Sequence, residues 1–392
     1  MPSAGMLAPG HVRRTNNGVV QNNVRDSVVS TMNILIINQG HTDNVGDIAI
    51  ARSIEAVARN RSHNTVIAPY DFELISNKAL NLSKQFERIL RHAPAVRERL
   101  MRREIGNFLK GEQFDAAIIG GGELLGGSFS SFSIALHAWA KALREMHIPV
   151  YAFGISGSIP DKRWVRDRYK TALKMCDMIC VRDKASLNLV KDYYGILNCQ
   201  LAPDVVFSYR LTHEMPPRIR DERKASCRVM CVPAPFTKET MRYLNIFSLD
   251  EFCDYIIEFI SKSIRGMQVS EVVFTSTTLE DSEVVSRLVD RCKTYHSNSF
   301  DVMQIMPNGN LDDFLVALSN TRLVVSGRMH ACILGLLSGC DYVAIPCKNK
   351  LKTFASEYAS EIDLQNIELE ALGALTKCFS DMDNRSMAKG EL

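Results

Sequence analysis

Residues 321–352, TRLVVSGRMHACILGLLSGCDYVAIPCKNKLK, constrain the fold more than any other stretch of the chain. An apolar run at 323–325 stops at Ser326-Gly327, and Arg328-Met329-His330 follow. An apolar helical run then extends to Ser338-Gly339, and a second strand-like run spans 342–346. Strand, polar turn, helix and strand in this order read as one winding of a parallel α/β sheet. Such sheets bind ligands outside the carboxyl ends of their strands, and a turn that opens a helix offers free N–H groups and a positive dipole end to an anion. Arg328 and His330 therefore fall where a phosphate- or carboxylate-bearing ligand would bind.

The same unit recurs along the chain. A β-branched run at 33–38 ends in Gln39-Gly40-His41-Thr42-Asp43-Asn44-Val45-Gly46-Asp47, ahead of a helical spacing of Ile48, Ala51, Ile54 and Ala58. Gly46 lets this loop pass close to a ligand and Asp47 is placed to cap the helix. Asn44 and Asp47 are either turn and cap residues or ligand-binding groups. Further strands are predicted at 65–68, 116–119, 150–153, 178–181 and near Gln200, and charged amphipathic helices over 83–110 are interrupted at Pro94. The strand at 116–119 runs into Gly120-Gly121-Gly122-Glu123, a tight turn or a close backbone approach to a ligand. It lacks the spacing of a dinucleotide fingerprint and the lysine of a phosphate-binding P-loop, and Glu123 is its candidate functional carboxylate. The strand at 178–181 ends in Arg182-Asp183, where Arg182 pairs with Asp183 or Asp204 or grips an anion.

A second series follows, with strands at 229–232, 271–275 and 303–306 and helices at 249–265, 282–292 and 311–318. Two such alternations predict an α/β protein of two Rossmann-like, doubly wound domains facing a cleft. The expected division is a mobile tail at 1–31, an N-terminal domain at 32–210, a linker at 211–226 carrying Pro216-Pro217, a C-terminal domain at 227–360, and a helix and tail at 361–392.

At 392 residues the chain is long enough for two cores of ordinary size. A net charge of +3, with no dense Lys/Arg tract interleaved with aromatics, argues against a nucleic-acid partner. Basic clusters at 91–103 and 218–224 allow a membrane contact that is peripheral at most. The eleven cysteines lack disulfide or zinc spacing and read as small buried hydrophobes in a reducing compartment. The first thirty residues hold no continuous apolar run, and no segment approaches the roughly 18 apolar residues of a membrane helix. A cytoplasmic location is expected, at most peripheral at the inner face of the membrane. His41, His137 and His330 are scattered without carboxylates at ligand spacing, so no metal is expected, and no G-x-S-x-G elbow is present. Oligomeric state is open.

If the strand-end turns of the two domains face each other, Arg182 and Glu123 meet Arg328 and His330, with the Asn44/Asp47 loop at the edge. Two arginines offer bidentate forks for phosphate or carboxylate, and a histidine among them can pass protons at neutral pH. A purely structural role at the start of a helix is the alternative for His330.

These residues resemble the polysaccharide pyruvyl transferase family. The matching pieces, in family order, are Asn44-Val45-Gly46-Asp47, Gly120-Gly121-Gly122-Glu123, VYAFGI at 150–155, Val181-Arg182-Asp183 with Ala202-Pro203-Asp204, and Ser326-Gly327-Arg328-Met329-His330 with Lys350 downstream. The resemblance implies a GT-B-like fold and transfer of a pyruvyl group from phosphoenolpyruvate to a sugar, forming a ketal on an exopolysaccharide or its lipid-linked precursor. It implies a donor site of Arg182, Arg328, Met329 and Lys350, mainly on the C-terminal domain, and an acceptor site with Asn44, Gly121 and Gly122 on the N-terminal domain. His330 would be the proton donor, with Glu123 or Asp47 accepting the hydroxyl proton. Phosphoenolpyruvate is a donor substrate here and no cofactor is implied. Met329 stands where the family has a leucine-type residue, a volume-conserving change. Two other readings share the cleft: a GT-B glycosyltransferase using a nucleotide sugar, and a non-catalytic module that binds a phosphorylated metabolite.

Overall fold

The apolar runs form two wholly parallel sheets, as strands hydrophobic on both faces require. A computed structural model describes residues 31–40, 42–71, 93–126, 130–218, 227–296, 300–305, 309–358 and 363–390. In the N-terminal lobe β1 (Asn33–Asn38), β2 (Asn64–Pro69), β3 (Ala116–Leu125), β4 (Val150–Gly157), β5 (Met178–Val181) and β6 (Cys199–Leu201) lie in the order β2-β1-β3-β4-β5-β6. Its helices are α1 (Val45–Asn60), α2 (Pro94–Leu109), α3 (Ser130–Glu145), α4 (Arg163–Lys174), α5 (Lys184–Asn188) and α6 (Tyr209–Thr212). In the C-terminal lobe β7 (Cys227–Val232), β8 (Val269–Phe274), β9 (Asp301–Gln304), β10 (Leu323–Ser326) and β11 (Asp341–Ala344) lie in the order β11-β10-β7-β8-β9. Around them run α7 (Lys238–Leu244), α8 (Leu249–Ser263), α9 (Ser282–His296), α10 (Leu311–Ser319), α11 (Met329–Leu337) and α12 (Asn349–Glu357), and α13 (Leu364–Gly390) ends the chain.

Each sheet has one place where the strand order reverses, between β1 and β3 in the first and between β7 and β10 in the second. The register sets Ile37 beside Ile119 in one and Val325 beside Cys231 in the other. Crevices outside the carboxyl ends of such strand pairs are where ligands bind in open α/β sheets. The loop after β1 and the turn after β10 therefore belong to the two switch points.

One apolar core runs through both lobes, joining Ile50 and Ile54 of α1 and Phe207 to Leu315 of α10, Ile333 of α11 and Phe379 of α13. Two further cores lie beyond the sheets, one around Trp139 and Tyr169, the other around Phe252 and Phe274. Although α13 follows the C-terminal sheet, it packs back on the N-terminal lobe. Arg61 Nη2 donates to Asp383 Oδ2 at 2.5 Å, Arg210 meets Glu368 at 2.8 Å, and the Tyr151 hydroxyl donates to Asp381 at 2.9 Å.

Several local expectations are corrected. Pro94 starts α2, as its missing N–H permits at a first helical position and as a break at this proline requires; the predicted helix at 83–92 lies outside the described residues, as do His41, the linker stretch 219–226 and the tail at 1–30. The three glycines are not a turn. They lie within β3, which pairs with β4 through Gly122↔Ile155 before the register breaks ahead of Leu125. Helices α3, α6, α7 and α12 were not predicted. Part of the basic cluster at 91–103 is engaged within the fold, since Arg102 pairs with Glu145 at 2.6 Å and Glu98 holds His137 and Arg168 at 2.8 and 2.9 Å. All eleven cysteines are free thiols, and no described helix is long and apolar enough to cross a membrane.

Gly121 shows why β3 needs glycine. Its φ is +72°, and a Cβ there would lie 2.3 Å from Ile50 of α1. Gly121→Ala combines a left-handed backbone penalty with overpacking and is expected to destabilise the fold by about 3 kcal/mol in urea unfolding.

Candidate active site

The loop after β1 is shaped by its own side chains. Asn44 caps α1: its Oδ1 accepts from Gly46 N at 3.0 Å, and its Nδ2 donates to Asp47 Oδ2 at 2.8 Å. The expected cap, Asp47, sits inside the first turn instead, because Asn44 already serves the free N–H group. The loop is laced to the other lobe by Val45 N donating to Thr277 O at 2.9 Å and by Leu279 N donating to the Asp43 carboxylate.

From the facing lobe, β10 ends at Ser326, whose Oγ accepts from Arg328 N at 2.9 Å and folds the turn. Arg328 precedes α11; its Nη2 pairs with the buried Asp281 carboxylate, and its Nε is buried without a partner. His330 lies in the first turn of α11 with its ring against Gly46, where a Cβ would stand 2.2 Å from Nδ1. Its Nε2 is 3.4 Å from both Asp204 Oδ2 and Arg182 Nη1.

Of the sequence alternatives for Arg182, the pairing is with Asp204. Arg182 Nη1 donates to Asp204 Oδ2 at 2.8 Å, with the two side chains 5% and 6% exposed. Asp183 instead caps α5 by accepting from Ser186 N at 2.7 Å. Asp204 also accepts from Val206 N at 3.0 Å, so it caps one turn while holding an arginine and a histidine. Glu123, near the end of β3, meets Lys350 of α12 across the cleft at 2.8 Å.

Two adjoining chambers occupy the cleft. The more polar one, about 210 Å³, is lined by Asn44, Asp47, Gly122, Thr277, Arg328 and His330. The other, about 270 Å³, extends between α5, α7 and α12, and Glu123, Arg182, Met329, Lys348 and Lys350 line both. Nine of the ten sequence-predicted site residues thus converge on one cleft. The tenth, Gly121, lines neither chamber and packs on Ile50. No group of three or more potential metal-ligating side chains occurs among the described residues.

The carboxylates differ in charge behaviour. Burial would raise that of Asp204, but the charges of His330 and Arg182 and the hydrogen bond from Val206 hold it well below the usual range. Asp47 shows the opposite balance: burial raises it more than His330, Arg182, Arg328 and Lys350 lower it. Burial likewise raises Asp281 despite Arg328. For Glu123 burial is outweighed by Lys350, and the net shift is down. Sequence reasoning named Asp204 as a possible partner of Arg182 and within a family-like motif but gave it no role in the site, and it missed Asp281 and Lys348. Asp204 was findable, because it follows β6 on the same rim as Arg182.

Two parallel sheets facing across a cleft, with the site at both reversals of strand order, define the GT-B-like class of two-domain α/β proteins. Among solved structures, UDP-GlcNAc 2-epimerase from Methanocaldococcus jannaschii aligns with a TM-score of 0.52 and 11% identity, over 90% of this chain and 100% of that one. UDP-GlcNAc 2-epimerase from Neisseria meningitidis bound to UDP-GlcNAc aligns at 0.49 and 10%, over 89% and 99%, and a glycosyltransferase from Rickettsia africae at 0.46 and 9%, over 92% and 97%. At these identities the likeness concerns the fold alone. No curated protein matches by sequence. Residues 44–349 match the polysaccharide pyruvyl transferase family, and the chain belongs to it.

Two outcomes test this geometry. Gly46→Ala places a methyl group on the His330 ring; turnover should fall about a hundredfold, and overpacking should lower stability by about 1–3 kcal/mol, less than at Gly121 where the left-handed backbone adds to the clash. Asp47 is the pH-sensitive position. A carboxyl raised in the folded state favours folding only below its ordinary titration range and works against it once ionised. Asp47→Asn should therefore raise the melting temperature at pH 7, with the gain vanishing below about pH 4 in a thermal denaturation series.

Proposed function

We propose that this protein transfers a pyruvyl group from phosphoenolpyruvate to two hydroxyls of one sugar in an exopolysaccharide or its lipid-linked precursor, forming a ketal and releasing phosphate. The observation that carries the reading is His330 with Nε2 3.4 Å from Arg182 and Asp204, in a chamber also lined by Arg328, Lys348 and Lys350. Phosphoenolpyruvate has an anionic group at each end, and this chamber supplies cations for both. Family membership supports a transferase acting on polysaccharide.

In this mechanism His330 gives a proton to the methylene carbon of the donor, making it a methyl group and leaving an oxocarbenium-like centre at the adjacent carbon. One acceptor hydroxyl adds there and loses its proton to a carboxylate. Asp47 suits that step better than Glu123, since its carboxyl is raised while Glu123 is tied to Lys350. The bond to the phosphate oxygen then breaks and the second hydroxyl closes the ketal. Two C–O bonds form and one breaks; of the two hydroxyl protons lost, one balances the proton given to carbon and the other leaves with phosphate. The reaction would take place in the cytoplasm, with membrane contact peripheral at most.

The test is to incubate the protein with phosphoenolpyruvate and, separately, with nucleotide sugars, adding glycan acceptors to each. Acceptor-dependent phosphate release with a new ketal methyl resonance supports the reading, whereas nucleotide release alone overturns it. His330→Ala should retain phosphoenolpyruvate binding and lose turnover by roughly 10² to 10⁴, and near-normal product formation by that variant would remove the histidine from the mechanism.

A further inference from the structure

The second chamber has a different chemistry from the first. Helix α7 presents Glu239 and Tyr243, four residues apart on one helix face, and α12 presents Lys350, Thr353, Phe354 and Glu357 at helical spacing. Tyr358 extends that wall, its ring 4.9 Å from Phe354 and 5.1 Å from Phe207, and Tyr243 remains 39% exposed. Aromatic faces of this kind suit the C–H face of a sugar ring, and carboxylates and hydroxyls at the edge suit its hydroxyl groups.

The charges refine that match. Three of the lining carboxylates are neutralised: Asp204 by Arg182, Glu123 by Lys350 and Glu239 by Lys348, at 2.8, 2.8 and 2.9 Å. Asp183 and Glu357 also line the chamber, and among the described residues neither forms an ion pair. They act on each other across the cleft: burial and then the Asp183 charge raise the Glu357 carboxyl, beyond what Lys184 offsets. A ligand here meets two carboxylates outside any ion pair, Asp183 with one oxygen already taken by Ser186 N at 2.7 Å. Hydroxyl donors satisfy them, and a third anion is repelled.

We propose that this chamber is the acceptor subsite and that it takes a neutral sugar residue, lying against Tyr243 with hydroxyls on Glu357 and Asp183, while rejecting uronic acids and keeping any carrier phosphate outside. The inference rests on the pyruvyl-transfer reading only for the word acceptor; the sugar preference follows from the lining. It moves sugar recognition from the N-terminal-lobe residues Asn44, Gly121 and Gly122 to α7, α12 and the start of α5.

Saturation-transfer NMR on the full chain, with methyl β-galactoside, methyl β-glucoside, methyl β-N-acetylglucosaminide and methyl β-glucuronide as probes, tests it without requiring turnover. At least one neutral glycoside should be saturated and the glucuronide should not. Tyr243→Ala should weaken the neutral probe by about fivefold or more, Tyr243→Phe should preserve it, and Glu357→Gln should admit the glucuronide. Phosphoenolpyruvate affinity should be unchanged in both Tyr243 variants. Equal binding of glucuronide and neutral probes, indifference of the neutral probe to Tyr243→Ala, or no binding of any glycoside overturns the proposal. If neutral glycosides bind through Tyr243 but phosphoenolpyruvate yields no phosphate with any of them, the sugar subsite stands and the pyruvyl-transfer reading falls.

Discussion

Asp204 carries a negative charge at a nearly buried position, its side chain 6% exposed, and the arrangement of the cleft follows from how that charge is satisfied. Taking a carboxylate out of water costs several kcal/mol, which only close and well-directed partners offset. Arg182 at 2.8 Å and Val206 N at 3.0 Å are both supplied by the N-terminal lobe, and His330 at 3.4 Å comes from the other. The ion pair is therefore complete within one lobe, and the histidine docks on a charge already fixed in position. This makes His330 placement a consequence of how the lobes approach, and Gly46, against which the ring rests, sets the distance of that approach.

What holds the lobes together is mainly apolar. The core that joins α1 to α10, α11 and α13 has no break at the lobe boundary, and burial of that kind outweighs the few polar ties that cross it. Arg52 meets Asp312 at 2.6 Å, but with side chains 36% and 63% exposed such a pair contributes little. The ties of α13 are stronger because they are drier. Arg61, with a side chain 27% exposed, donates to Asp383 of α13, 5% exposed, at 2.5 Å. The last helix thus fastens the edge of the first sheet to a chain that has just left the second.

Strands were legible from sequence because parallel strands buried on both faces are short, uninterrupted aliphatic runs, as at 33–38, 178–181 and 323–326. Helices α7 and α12 escaped because they are short, seven and nine residues, too few turns for a helical period to stand out from a loop in the sequence. The glycines of β3 were misread for a related reason: a turn and a strand pressed against a helix both demand the absence of a side chain, and only the position of Ile50 distinguishes them. Arg182, Arg328 and His330 could be found because strand ends on one rim share a surface whatever the details of packing. The role of Asp204 could not be read in full, since its third partner lies 126 residues away in the opposite lobe. Tyr243 and Glu357 carry no motif at all; their relation exists only when α7 and α12 come together.

The wall between the two chambers shows how donor and acceptor could meet in the proposed transfer. It consists of Arg182, Met329, Lys348 and the Glu123–Lys350 pair. These components differ in how readily they yield. The Arg182–Asp204 pair is buried, and parting it would strand a charge in a dry site. The Glu123–Lys350 pair is 36% and 41% exposed, so water replaces either partner at small cost. Met329 is unbranched and can change rotamer to fit what lies against it. An acceptor hydroxyl reaching for the donor would therefore pass on the side of Glu123, Lys350 and Met329, while Arg182 holds its place.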